Sequence, residues 1–148
     1  MLRKAKEQDI SECAAIEYEA FGEDKKIIKH DLTKQAKDDD YLFFVIEIKG
    51  KVAGFITAKI HKWNKSIYVE RLYVHKDERN KGYGSKLLAK IISIAKKLKM
   101  RKLFVDTGEK NKRAVRFYLK NGFIKTGYIK DFYNDPHDRN CIVFCYNL

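Results

Sequence analysis

The chain has 148 residues, 45% of them hydrophobic and 13% aromatic, with 32 Lys and Arg against 20 Asp and Glu. A chain of this length buries roughly 68–70% of its unfolded surface, so one ordered domain over residues 1–148 is expected without disulfides or a structural metal. The formal charge of +12 calls for an anionic partner or a solvating surface, and leaves nucleic acid, a polyphosphate cofactor and simple solubility open.

In chain order, the opening MLRKAKEQDI has no apolar stretch of signal-peptide length and predicts a short first strand over MLRKAK. Asp9 is placed to cap a helix running to about Phe21, with an apolar stripe of Ile10, Cys13, Ala14, Ile16 and Tyr18. A second helix is expected over Lys25 to Lys37, broken by the acidic run Asp38 to Asp40. YLFFVIEI and KVAGFITAKI then read as two strands joined by Lys49-Gly50-Lys51. A third strand, Ser66 to Val74, follows the turn Trp63-Asn64-Lys65. Next come a turn around Gly82 and Gly84 and a periodic helix with Leu87, Leu88, Ile91, Ile92, Ala95 and Leu98 on one face. Lys102 to Asp106 is a strand, and Asn111 to Asn121 a helix closed by Gly122. Two strands near Phe123 to Asp131 and Asn140 to Tyr146 end the chain.

This order predicts a mixed α/β (α+β) domain of about seven strands and four helices, with a strand–helix–strand crossover making the fourth and fifth strands parallel neighbours. The longest apolar run, Tyr41 to Ile46, is far too short to span a bilayer, so a soluble cytoplasmic protein with no membrane role is expected. Cys13, Cys141 and Cys145 form no C-x-x-C pair, and Cys141 and Cys145, on one face of a strand, read as two small buried hydrophobes. The histidines at 30, 61, 75 and 137 show no ligand spacing, and no metal is expected.

The stretch ERNKGYGSKLL carries the function. It lacks the G-x-x-x-x-G-K-[ST] of a P-loop and the third glycine of a Rossmann fingerprint. It keeps the ingredients of an anion site: two glycines that allow a sharp turn, a helix N-terminus with free amides, and Lys76, Arg79, Lys81 and Lys86 around them.

These residues resemble the acetyl-coenzyme A signature of the GNAT N-acetyltransferase superfamily, [QR]-x-x-G-x-[GA], with Arg79, Gly82 and Gly84 at its fixed positions. Downstream, NKRAVRFYLKNGF resembles the second signature of that superfamily through Asn111, Ala114, Phe117, Tyr118, Gly122 and Phe123. The resemblance is detailed from about Glu70 to Phe123 and implies the GNAT-like acyl-CoA N-acyltransferase fold, with acetyl-coenzyme A as co-substrate. It also implies that the amides of Arg79, Asn80, Lys81, Gly82, Tyr83, Gly84 and Ser85 hold the pyrophosphate. Leu72, Tyr73 and Val74 pair with the pantetheine arm, and Asn111 and Arg113 contact the cofactor. Tyr118 touches the cofactor and is the general acid.

The general base has two candidates. Glu70 matches the position used by polyamine-type members. Asp106 matches that used by ribosomal-protein N-terminal acetyltransferases, with aspartate for their glutamate. Tyr18, Glu19 and Tyr133 are the expected acceptor contacts. The acceptor is an amine on a small molecule or a protein, and monomer and homodimer both stay open. A catalytically silent coenzyme A-binding domain is the alternative. A nucleic-acid-binding module has no recognition-helix or RNP-type motif behind it.

Overall fold

The computed structural model describes all of residues 1–148. Seven strands form one sheet: β1 (Leu2–Lys4), β2 (Tyr41–Ile48), β3 (Lys51–His61), β4 (Ser66–Val74), β5 (Lys102–Gly108), β6 (Ile124–Ile129) and β7 (Cys141–Asn147). Four helices accompany them: α1 (Ile10–Phe21), α2 (Lys25–Lys37), α3 (Tyr83–Lys97) and α4 (Lys112–Lys120). The mixed α/β architecture expected from the element order is the one observed. No helix is long and apolar enough to cross a membrane.

The sheet order is β1-β2-β3-β4-β5-β7-β6. Every pairing is antiparallel except β4 with β5, which α3 connects as a crossover. Strand alternation divides the apolar residues between two faces. In β2, Phe44 and Ile46 join the cluster under α3 and α4, with Leu87, Leu88, Ile91 and Val115. Phe43 and Val45 join the cluster under α1 and α2, with Ile10, Cys13, Ile28 and Leu32.

Two bulges adjust this alternation. The first lies where Ile46 faces Gly54 and Glu47 faces Val52, leaving Ala53 as the extra residue. The second lies where Thr57 faces Arg71 and Ala58 faces Val69, leaving Glu70 unpaired in β4. A bulge re-aims side chains and bends its strand. Ile67 and Val69 precede it on the α3 face, and beyond it Leu72 takes that face while Tyr73 turns to the α1–α2 side.

Two sequence expectations are corrected. Leu98 lies just past the end of α3 and is 47% exposed, because the apolar stripe ends one turn earlier at Ala95. Asp9 precedes α1 but its side chain does not cap it. It accepts instead from the Lys6 amide at 2.7 Å and from both terminal nitrogens of Arg3 at 2.7 and 2.9 Å. Arg3 also donates to Glu47 at 2.8 Å, so this cluster clamps β1 to β2 and to the entry of α1.

The Arg3 hydrogen bonds are the main reason the nearly buried Asp9 carboxyl is held below the usual range. A carboxyl with a depressed folded pKa contributes stability that is full above its unfolded pKa of about 4 and is lost as pH falls through the folded value. Asp9→Asn is therefore expected to lower stability at neutral pH and to flatten the loss of stability below about pH 4. Denaturant titrations across that range check it; an acid limb identical to the parent's contradicts it.

Candidate active site

β4 and β5 pair over three positions only: Ser66 with Lys102, Ile67 with Leu103 and Tyr68 with Phe104. Past Tyr68 the strands part. From Val69 onward β4 is paired with β3 alone, and its other edge is open. The opening holds about 420 Å³ of solvent-connected space and is lined by Glu70, Leu72 and Tyr73 from β4, Asp106 from β5, and Asn111 and Tyr118 at the start and in the body of α4.

Tyr118 is 7% exposed and packs edge-on against Phe117 and Phe123. Its hydroxyl has no protein hydrogen-bond partner and is not a sealed polar atom, so it looks into the opening. Burial, with the nearby Asp106 charge, pushes its pKa well above the ordinary phenol value, and it stays protonated.

Asp106 accepts hydrogen bonds from the hydroxyls of Tyr68 on one oxygen and Tyr133 on the other. Tyr133 comes from the segment between β6 and β7, and burial together with this bond raises its pKa. The Asp106 carboxylate is thus held between two phenol donors and ties that segment to the site.

Glu70 accepts from Gln35 Nε2 at 2.8 Å on one oxygen and from the Tyr41 hydroxyl at 2.9 Å on the other. Burial and this bond push Tyr41 up to about 12, so it remains a donor. Arg71, the next residue, points to the α1–α2 side. Its Nε donates to both oxygens of Glu17 at 3.1 and 3.0 Å, and its other nitrogens approach Asp31 at 3.4 Å and Glu70 at 4.0 Å. Burial raises the Glu17 pKa despite the pull of Arg71, while Glu17 and Asp31 keep Arg71 charged.

The glycine turn closes the upper end of β4. Asn80 and Gly82 are left-handed, at φ 63° and 83°. The first helical bond of α3 runs from the Lys86 amide to the Gly82 carbonyl at 3.1 Å, leaving the Tyr83, Gly84 and Ser85 amides free at the positive end of the helix. Arg79 Nε donates to the Val74 carbonyl at 3.1 Å and binds the turn to the open strand. Partial burial and the neighbouring Arg79 pull Arg113 below the usual guanidinium range.

The two glycines do different jobs. A Cβ on Gly82 meets nothing within 4 Å, so glycine is needed for the left-handed backbone. A Cβ on Gly84 lies 3.2 and 3.3 Å from the Phe117 ring, so this glycine seats α3 against α4. Gly82→Ala is expected to cost about 1–2 kcal/mol. Gly84→Ala stays within about 1 kcal/mol of neutral, because better helix propensity offsets a small shift of the ring. Thermal denaturation of the two variants checks this, and equal losses contradict it.

Residues 8–123 match the model of the acetyltransferase (GNAT) family. The chain belongs to the GNAT family. Streptothricin acetyltransferase A of Bacillus subtilis is 36% identical over 101 residues, covering 62% of this chain and 58% of that one. The ribosomal-protein-alanine N-acetyltransferase of Brucella melitensis superposes with a TM-score of 0.85 at 21% identity, over 100% of this chain and 99% of that one, and so shares the fold. A candidate streptothricin acetyltransferase of Bacillus anthracis, crystallised with acetyl coenzyme A, superposes with a TM-score of 0.69 at 25% identity, over 78% of this chain and 67% of that one. The chain spans about half the length of the curated relatives it matches, 44% of one and 58% of another.

In this GNAT chain, Glu70, Leu72, Tyr73, Asp106, Asn111 and Tyr118 line one opening, and Tyr133 reaches it through Asp106. Asn111 also caps α4, accepting from the Ala114 amide at 3.2 Å. Tyr18 and Glu19 lie outside the opening. Tyr18 is exposed beneath Lys25, and Glu19 pairs with Lys76 at 2.8 Å. Phe21 lines the opening in their place. Sequence reading missed Gln35, Tyr41, Tyr68 and the Arg71–Glu17 pair. The signal for two of them was present: Glu17 and Gln35 stand on the buried stripes of their helices, in step with Ile10 and Ala14, and with Ile28 and Leu32.

Proposed function

We propose that this chain, acting as one domain, moves the acetyl group of acetyl-coenzyme A to a primary amine inside the β4–β5 opening. The observation that carries the reading is the hydroxyl of the buried Tyr118, protonated and without a protein partner, facing the same space as Glu70 and the open edge of β4. The free amides from Arg79 to Ser85 suit a pyrophosphate, and Arg79 with Arg113 offsets its charge. The open β4 edge at Leu72 to Val74 suits the amide-bearing pantetheine arm, which adds to the sheet as a short strand.

The chemistry then follows from the groups present. An alkylamine with pKa near 10.4 must lose a proton to attack, which costs about 4–5 kcal/mol at neutral pH. Glu70, with the longer side chain, is the first candidate for the base and Asp106 the second: each carboxylate accepts one hydrogen bond on each oxygen and keeps a lone pair. Asp106 also orients Tyr133 through the hydrogen bond between them. The free amine nitrogen bonds to the thioester carbon, the carbon–sulfur bond breaks, the thiolate takes the proton of Tyr118, and the surplus proton on the new amide nitrogen leaves to solvent, from which Tyr118 is reprotonated. The burial that raises the phenol also desolvates the thiolate, so the two proton affinities stay matched.

Glu70 and Asp106 at the opening, with Glu17 and Asp31 behind it against the single Arg71, give a local excess of negative charge in a chain of net +12. That favours a cationic amine, on a small molecule or a peptide. The names of the relatives include acceptors of both kinds. Thiol release from acetyl-coenzyme A, measured with polyamines, amino acids, aminoglycosides and peptides with free N-termini or internal lysines, tests the proposal. Release with a cationic class is expected. Calorimetric binding of the cofactor without release for any acceptor favours the silent binding domain instead.

A further inference from the structure

The pole of the sheet away from the active site uses none of its charge for acetyl transfer. β4 separates the two by about 26 Å of extended strand, from Ser66 beside this pole to Val74 beside the glycine turn. Here the β3–β4 turn meets the segment joining α3 to β5. The Arg101 amide donates to the Lys65 carbonyl at 2.7 Å, Arg101 Nε donates to the Asn64 carbonyl at 2.9 Å, and the Leu148 amide donates to the Arg101 carbonyl at 3.0 Å. These bonds hold Lys62 and Lys65 of the turn next to Lys96, Lys97, Lys99 and Arg101, all six exposed. No Asp or Glu occurs from Ile48 to Val69 or from Arg79 to Val105. The one carboxylate paired to the group is Asp40, 3.4 Å from Lys62 with both side chains solvated.

Trp63 stands at the tip of the turn between these lysines and is 86% exposed. It is the only tryptophan of the chain and contributes nothing to either core cluster. An indole left in water among cations has the two parts a flexible polynucleotide needs: phosphate neutralisation and a face on which an unstacked base can lie.

We infer that this pole is a docking surface for single-stranded nucleic acid, separate from the acetyl-transfer site. A duplex would engage the lysines but keep its bases stacked away from Trp63. A lipid surface calls for a continuous apolar face. Here the exposed apolar side chains are Trp63, Leu98 and the terminal Leu148, scattered among charges.

Because Trp63 is the sole tryptophan, its emission reports directly on the surface. Titration of the full chain with oligo(U) or oligo(dT) of about 15 nucleotides is expected to quench it. The log of the binding constant should fall with log salt at a slope of about −3 to −4 if five phosphates are neutralised. Trp63→Ala, followed by labelled-oligonucleotide anisotropy, should weaken binding about tenfold at an unchanged slope. Lys97→Glu with Lys99→Glu should weaken binding and reduce the slope. All these positions are exposed, so thiol release from acetyl-coenzyme A should be unaffected. Tighter binding of oligo(U) identifies RNA, and tighter binding of oligo(dT) identifies DNA. The inference is overturned if neither oligonucleotide quenches Trp63 at about 50 mM salt. It is equally overturned if acetyl-coenzyme A displaces the oligonucleotide while Trp63→Ala has no effect, or if anionic vesicles quench and oligonucleotides do not.

Discussion

Replacing Tyr118 with phenylalanine is expected to lower kcat by about 10²–10⁴-fold while leaving the Kd of acetyl-coenzyme A within about threefold of the parent. The ring stays between Phe117, Phe123 and Phe144, so packing survives. The hydroxyl that is removed has no protein partner, so no buried group is orphaned. What disappears is the proton source for the departing thiolate. Steady-state turnover and calorimetric titration of the cofactor, run together, separate the outcomes. A parallel collapse of affinity would make Tyr118 a structural residue and remove the general acid from the mechanism.

Arg71→Met is expected to have the largest effect on stability, a loss of about 3–5 kcal/mol. Arg71 is the only cation bound to Glu17, and it also approaches Asp31 and Glu70. Removing it leaves the buried Glu17 carboxylate uncompensated, with the Asp31 charge nearby. Part of the loss should return in the pair Arg71→Met with Glu17→Gln, which removes the stranded charge. Arg71→Lys should recover little, because a single ammonium cannot bond Glu17 while also reaching Asp31 and Glu70 as the three guanidinium nitrogens do. Denaturant melts of the three variants, with kcat for those that fold, test this. Equal stability of the single and double variants would show that Glu17 gains nothing from its partner. A drop in kcat for Arg71→Lys at unchanged cofactor affinity is the mark of a positioning role toward Glu70.

The same residues show how far a sequence can be read. The element order and nearly every boundary could be taken from periodicity and turn residues, since these depend on neighbours a few positions away. Lys25–Lys37 and Ser66–Val74 are reproduced to the residue. Asp9 shows the limit of that reading. It is a good capping residue by type, but Arg3 and the Lys6 amide offer it a charged clamp, and the cap is given up.

The sequence by itself determined the mixed α/β order, the two motifs of the family, and the glycine turn with free amides at the start of a helix. Each of these is local and written in spacing. Only the tertiary structure decided what faces the opening. The bulge at Glu70 depends on how β4 registers against β3, and no local pattern announces it. It turns Glu70 toward Gln35 and Tyr41, and Arg71 toward Glu17, partners 29 to 54 residues away in the chain. Asp106 likewise meets Tyr68 and Tyr133 only because β4, β5 and the segment before β7 converge where the sheet splits. Hydrogen bonds and ion pairs act over a few ångströms of space rather than along the chain, so the partners that each carboxylate meets are settled by folding.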